Sequence, residues 1–141
     1  REAGAHVTIV GRSAVPFAHV TKASPDCEAF AADLATTGGC RKLVAEVAAA
    51  GVQPFHYLVF TVGAWPDFAD PYTSEGVEKV VALDLLARHF VLEGLAAAGL
   101  LASGGRVLNV LASAQLVPFQ TVETIRARVA AVQPPASMFA A

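Results

Sequence analysis

Charge is scarce in this chain: of 141 residues only 16% are charged, and the formal net charge is -2. Nucleic acid and anionic membranes are recognised through clustered Lys and Arg, and no such cluster is present, so small molecules are the expected partners. Cysteine is nearly absent, with Cys27 and Cys40 in unlike surroundings, the first opening a strand and the second inside a helix. Without a CxxC or paired histidines nearby, a metal centre has no support, and two reduced, buried thiols of a cytoplasmic protein are the plain reading. His6, His19, His56 and His89 are scattered, with neither HExxH nor an adjacent nucleophile, and read as structural or solvated. No GxGxxG, Walker-type loop or GxSxG elbow occurs, so phosphoryl transfer and serine hydrolysis lack positive support. Long apolar runs are missing as well. The longest uncharged stretch, Val107 to Val122, is interrupted by Asn109, Ser113, Gln115, Pro118 and Gln120, and falls short of the ~18 to 20 apolar residues that cross a bilayer.

What remains is apolar, at 55% of residues, which excludes disorder and fits helices packed on a buried sheet. The length suits one domain over 1–141. His6 to Val10 reads as a buried strand, after which Pro16 ends regularity; Cys27 to Ala32 is a second strand. Thr36 to Ala50 carries Leu43, Val44 and Val47 at helical spacing, with Gly51 as its C-terminal cap. Tyr57 to Val62 is a continuous apolar strand, followed by a loop with two prolines and three aromatics from Trp65 to Tyr72. Ser74 to Ala98 is a long, mostly buried helix in which Asp84 and Arg88 are spaced for an i,i+4 surface pair. A turn at Ser103-Gly104-Gly105 precedes a strand over Arg106 to Leu111, and Glu123 to Val132 forms a last helix before Pro134. Strands alternating with helices predict a parallel, doubly wound α/β sheet with helices on both faces.

Four landmarks appear in order: GAHVTIVGR at Gly4 to Arg12, AADL at Ala31 to Leu34, LVFTVG at Leu58 to Gly63, and GGRVLNV at Gly104 to Val110. Together they resemble a short-chain dehydrogenase/reductase, a family with an NAD(P)-binding Rossmann fold. The resemblance covers Gly4 to about Ser113 and implies an internal fragment that lacks the Gly-rich strand-loop-helix and the YxxxK segment, with the true start upstream of Arg1. It also implies cofactor contacts. Arg12 stands where an acid would bond the ribose 2′-hydroxyl of NAD and an arginine would accommodate the 2′-phosphate of NADP, with Ser13 adding a hydroxyl bond; on spacing alone Arg12 reads first as a solvated loop residue, and the resemblance reverses that order. Asp33 and Leu34 match the family's contact with the adenine edge, although Asp33 also reads as an acid at a helix N-terminus. Thr61, Val62 and Gly63 match LVNNAG, whose backbone lies against the adenine and ribose; only Gly63 is identical, and a buried strand with a glycine turn explains the segment equally well.

The same resemblance makes the catalytic set incomplete. The family's helix asparagine is matched by Asp84. The serine position falls on Ala112, leaving Ser113 one residue late, and strand alternation would aim it to the wrong side. Tyr57 and Tyr72 are the only tyrosines and both precede that segment, so the family's proton donor is absent. Three readings follow. The first is a fragment of an NADP(H)-dependent oxidoreductase acting on a carbonyl or alcohol, inactive as this chain alone. The second is a non-catalytic NAD(P)-binding or interaction protein of the same fold, and the third a damaged product without stable activity. A homo-oligomer through the helix at 74–98 is compatible with each. With its expected central strand absent, the sheet is predicted to close by pairing the strand at His6 to Val10 with that at Tyr57 to Val62, or else to aggregate through open edges.

Overall fold

β-Branched and small residues around Thr8 and Ile9 form the first strand, β1 (Val7–Gly11), which pairs in parallel with β2 (Cys27–Ala31), Gly11 lying opposite Ala31. The computed structural model describes residues 4–13, 15–24 and 26–111. Between these strands regularity does not stop at Pro16: a 3₁₀ turn (Val15–Phe17) runs into a short helix, α1 (Ala18–Ala23). A proline in the first turn forfeits no helical hydrogen bond, because the N–H it lacks would have been an orphan there. The expected end of regularity at Pro16 is thus a helix start.

Helix α2 (Thr37–Ala49) begins where Thr36 accepts a hydrogen bond from Gly39 N, and it closes at Gly51, whose φ of +70° is the left-handed conformation expected of a glycine cap. Strand β3 (Phe55–Phe60) lies two residues earlier than the apolar run predicts. The next helix is built in three pieces, α3 (Lys79–Val81), a π-helical turn (Ala82–Leu86) and α4 (Ala87–Ala97). Residues 74–78 are not helical; Tyr72 and Glu78 form an isolated antiparallel bridge, and Glu78 caps α3 by accepting from Val81 N. Strand β4 (Leu101–Asn109) takes in the predicted Gly-Gly turn as an irregularity, the register jumping from Phe55 opposite Leu101 to Tyr57 opposite Arg106.

Cys40, Leu43 and Val47 of α2 pack with Ala87, Val91 and Leu95 of α4, and with Phe60 of β3, Leu100, and Ala32 beyond β2, to form one buried cluster. Leu58 packs against the same cluster, whereas Tyr57 and Val59, alternating with it, are 71% and 51% exposed. Among the described residues no helix covers that outward face. The architecture is α/β with parallel strands and helices, as the sequence predicts. The sheet does not close, however: among the described residues β1 pairs only with β2 and β3 only with β4, in two separate two-stranded sheets. The expected β1–β3 pairing is therefore overturned. α2 and α4 pack side by side, and helices in contact stand 8–10 Å apart, about twice the ~4.8 Å between paired strands, so a sheet beneath them cannot close up by one strand without unpacking the helices.

The expected helix over Glu123 to Val132 lies outside the described residues. Both thiols are free, Cys40 buried and Cys27 half-buried. No described helix is long and apolar enough to cross a membrane.

Candidate functional site at the carboxyl ends of the strands

In parallel α/β sheets ligands bind beyond the carboxyl ends of the strands, where loops and helix N-termini converge. At the β1–β2 end, Arg12 is exposed immediately after the last residue of β1, and the Ser13 hydroxyl accepts from Val15 N at 3.3 Å. Beside it the chain leaves β2 with Ala32 N donating to Gly11 O at 2.9 Å. Asp33 accepts from Ala35 N through Oδ1, and its carbonyl accepts from the Thr36 hydroxyl, so its side chain organises the turn into α2. Leu34 packs against the core, and its carbonyl accepts from Cys40 Sγ. Burial, followed by the charges of Glu75 and Asp33, raises the Cys40 thiol above its ordinary value, which keeps it protonated and inert.

The turn into α2 is closed from outside by Glu75. Its carboxylate accepts from Thr37 N and from the Thr37 hydroxyl at 2.9 Å, compensating orphan donors of the helix N-terminus. The Thr37 backbone bond, then the hydroxyl bond, hold Glu75 below the usual carboxylate range. Farther along, Lys79 reaches Asp70 at 2.6 Å and Asp67 at 3.4 Å, tying down the loop that exposes Trp65 and Phe68. The bond to Asp70 raises Lys79, while the Asp70 backbone N–H, ahead of Lys79, lowers Asp67.

At the β3–β4 end, Thr61 is exposed, and Val62 and Gly63 lead the chain away from the sheet. Val110 N donates to Phe60 O, extending the pairing one residue beyond Asn109. Against this junction lies Arg88, only 8% exposed. Its Nη2 donates to Val62 O at 2.7 Å, Val110 O at 3.2 Å and Asp84 Oδ1 at 3.4 Å, and its Nη1 to Asn109 Oδ1 at 3.2 Å. The Nε has no partner among the described residues. Asp84, on the π-helical turn, also accepts from Ala64 N at 3.5 Å, and a Cβ on Gly63 would stand 2.7 Å from its Oδ1. The expected surface pair is thus a buried cluster: the strand ends cover the guanidinium, and desolvating an ion costs several kcal/mol unless its donors are met.

The structure accordingly gathers Arg12 and Ser13 beside Asp33 and Leu34 at one pair of strand ends, and Thr61, Val62 and Gly63 beside Asn109 at the other. Ser113, the weak catalytic candidate, lies outside the described residues. Sequence reasoning missed Arg88 and Glu75. Arg88 had a signal, since it shares a helix face with Val91 and Leu95, both buried. Glu75 had none, because its partner is 38 residues away. Among the described residues no group of His, Cys, Asp and Glu could hold a metal ion.

No family model and no curated protein matches the sequence. Solved structures do. An NADP active-site complex of RhlG from Pseudomonas aeruginosa is 26% identical with a TM-score of 0.64, covering 92% of this chain and 54% of that one. A short-chain dehydrogenase from Burkholderia cenocepacia in complex with NADP is 25% identical with a TM-score of 0.61, covering 92% and 55%. A short-chain dehydrogenase/reductase from Serratia marcescens shares the fold at 19% identity and a TM-score of 0.62. The chain spans about half the length of these proteins. Over that span it resembles the short-chain dehydrogenase/reductases and has their Rossmann-like α/β fold.

Proposed function

We propose that these residues form part of an NADP(H)-dependent short-chain oxidoreductase acting on a carbonyl or alcohol, and that this stretch alone does not turn substrate over. The observation that carries the reading is Arg12, an exposed cation at the carboxyl end of β1 with Ser13 beside it and no carboxylate in the same turn. A guanidinium there matches the 2′-phosphate that distinguishes NADP from NAD. Asp33 and Leu34 at the end of β2, with the backbone of Thr61, Val62 and Gly63, would line the adenosine, and the donor set fits that end of the cofactor. When bound, the nicotinamide supplies the hydride chemistry. Two similar structures are NADP complexes, which agrees with the assignment.

Turnover is not assigned to this stretch because Tyr57 lies within β3 and Tyr72 in the loop before α3, leaving no tyrosine after β4 to give a proton. The free thiols fit a cytoplasmic setting. Val81 and Leu85, exposed on the helix within 74–98, offer a surface for a homo-oligomer. In the full chain, Arg12→Asp should weaken NADPH binding by about tenfold or more and favour NADH, read by calorimetry; unchanged preference would refute the assignment. A second reading, a non-catalytic NAD(P)-binding protein, is favoured by Ala112 at the serine position and Asp84 at the asparagine position. Full-chain protein that binds NADPH yet oxidises it with no carbonyl probe would establish that reading instead.

A further inference from the structure

We infer that Arg88 is a positioning residue for the proposed cofactor site, an assignment that rests on the NADP(H) reading. Its guanidinium joins three segments: the chain leaving β3 at Val62, the chain leaving β4 at Asn109 and Val110, and the π-helical turn at Asp84, which also meets the first through Ala64 N. The carbonyls of Val62 and Val110 lie past the last strand residues, where ladder bonding ceases and water would otherwise compete for them. A planar cation with donors on both arms fixes these acceptors relative to one another, which a lysine or an apolar side chain cannot do. The face it occupies, shared with Ala87, Val91 and Leu95, would be filled by leucine or methionine at lower desolvation cost. The charge therefore serves geometry. Asp84, held by the same guanidinium, stands so close to Gly63 that an added Cβ would lie 2.7 Å from its Oδ1, so the glycine permits the departing backbone of β3 to approach the helix.

A dinucleotide spreads across the carboxyl ends of the two halves of such a sheet. With Arg12 assigned to the 2′-phosphate, the adenosine would rest on β1–β2 and meet the β3–β4 junction only at the Thr61–Gly63 backbone, while the nicotinamide half would extend across the junction that Arg88 organises. Ligands that use one end or both should separate the roles. Calorimetric titration of the full chain with NADPH and with adenosine 2′,5′-bisphosphate, together with thermal unfolding, is made on wild type, Arg88→Lys and Arg88→Met. Arg88→Met is expected to weaken NADPH by about tenfold and the bisphosphate, which meets the junction only at the Thr61–Gly63 backbone, by only about two- to threefold, with Arg88→Lys between. Equal weakening of both ligands, or no change in either, overturns the assignment while leaving the cofactor reading intact. Loss of cooperative unfolding in both variants makes Arg88 purely structural and overturns it too. Wild type that binds neither ligand removes the NADP(H) reading, and the assignment with it.

Discussion

At the scale of single residues, Glu75 gives the clearest pH-dependent prediction. Its carboxylate is held below its ordinary value by the Thr37 N–H and hydroxyl. Above that ordinary value it is ionised in both folded and unfolded chains, and its contribution to stability is fully present. As pH falls, the unfolded chain takes up the proton first, and the contribution is lost through the folded-state value. The melting temperature should therefore drop on the acid side, and Glu75→Gln should flatten part of that drop, the two curves converging at low pH. Parallel curves would show that the cap carries no linkage. Single residues also show what a sequence conveys and withholds. Arg12 and Asp33 were placed at strand ends by motif order alone. Arg88 lay on an inward helix face by spacing, yet its charge argued for solvent; the acceptors that outweigh burial come from two strands that no local pattern connects to it.

Elements carry a second lesson. Gly39 sits in the first turn of α2, where an added Cβ would fall 1.8 Å from the Asp33 carbonyl oxygen. The obstruction is backbone and cannot swing aside. Gly39→Ala should accordingly destabilise by about 1–3 kcal/mol despite the better helix propensity of alanine, as read from denaturant midpoints. A neutral or stabilising result would mean that the turn into α2 relaxes freely. The strands and α2 were legible because their apolar patterns are strong and their ends carry Gly51 and Thr36. Helix α1 was not, because Pro16 reads as a stop where it is a start. The π-helical turn at Ala82–Leu86 left no trace in the apolar spacing, since one shifted hydrogen-bond ring barely alters which residues face inward.

For the molecule as a whole, the buried cluster draws on α2, β3 and α4 and reaches β2 only through Ala32 and the flanking Phe30, while β1 contributes no buried residue. Native-state hydrogen exchange should thus protect α4 and β3 most and β1 least; uniform protection would show that the two sheets unfold as one. Parallel α/β architecture was readable from alternation. The separation into two pairs was not, because pairing depends on helices already packed overhead. Helix α2 touches both β2 and α4, whereas among the described residues no strand hydrogen bond spans the two pairs. In mechanical terms α2 is an axle: rotation of the β1–β2 pair about it would change the distance from Arg12 to the Val62 carbonyl without breaking a single rung of either ladder, so the reach of the proposed site is set by how one helix seats on its neighbours.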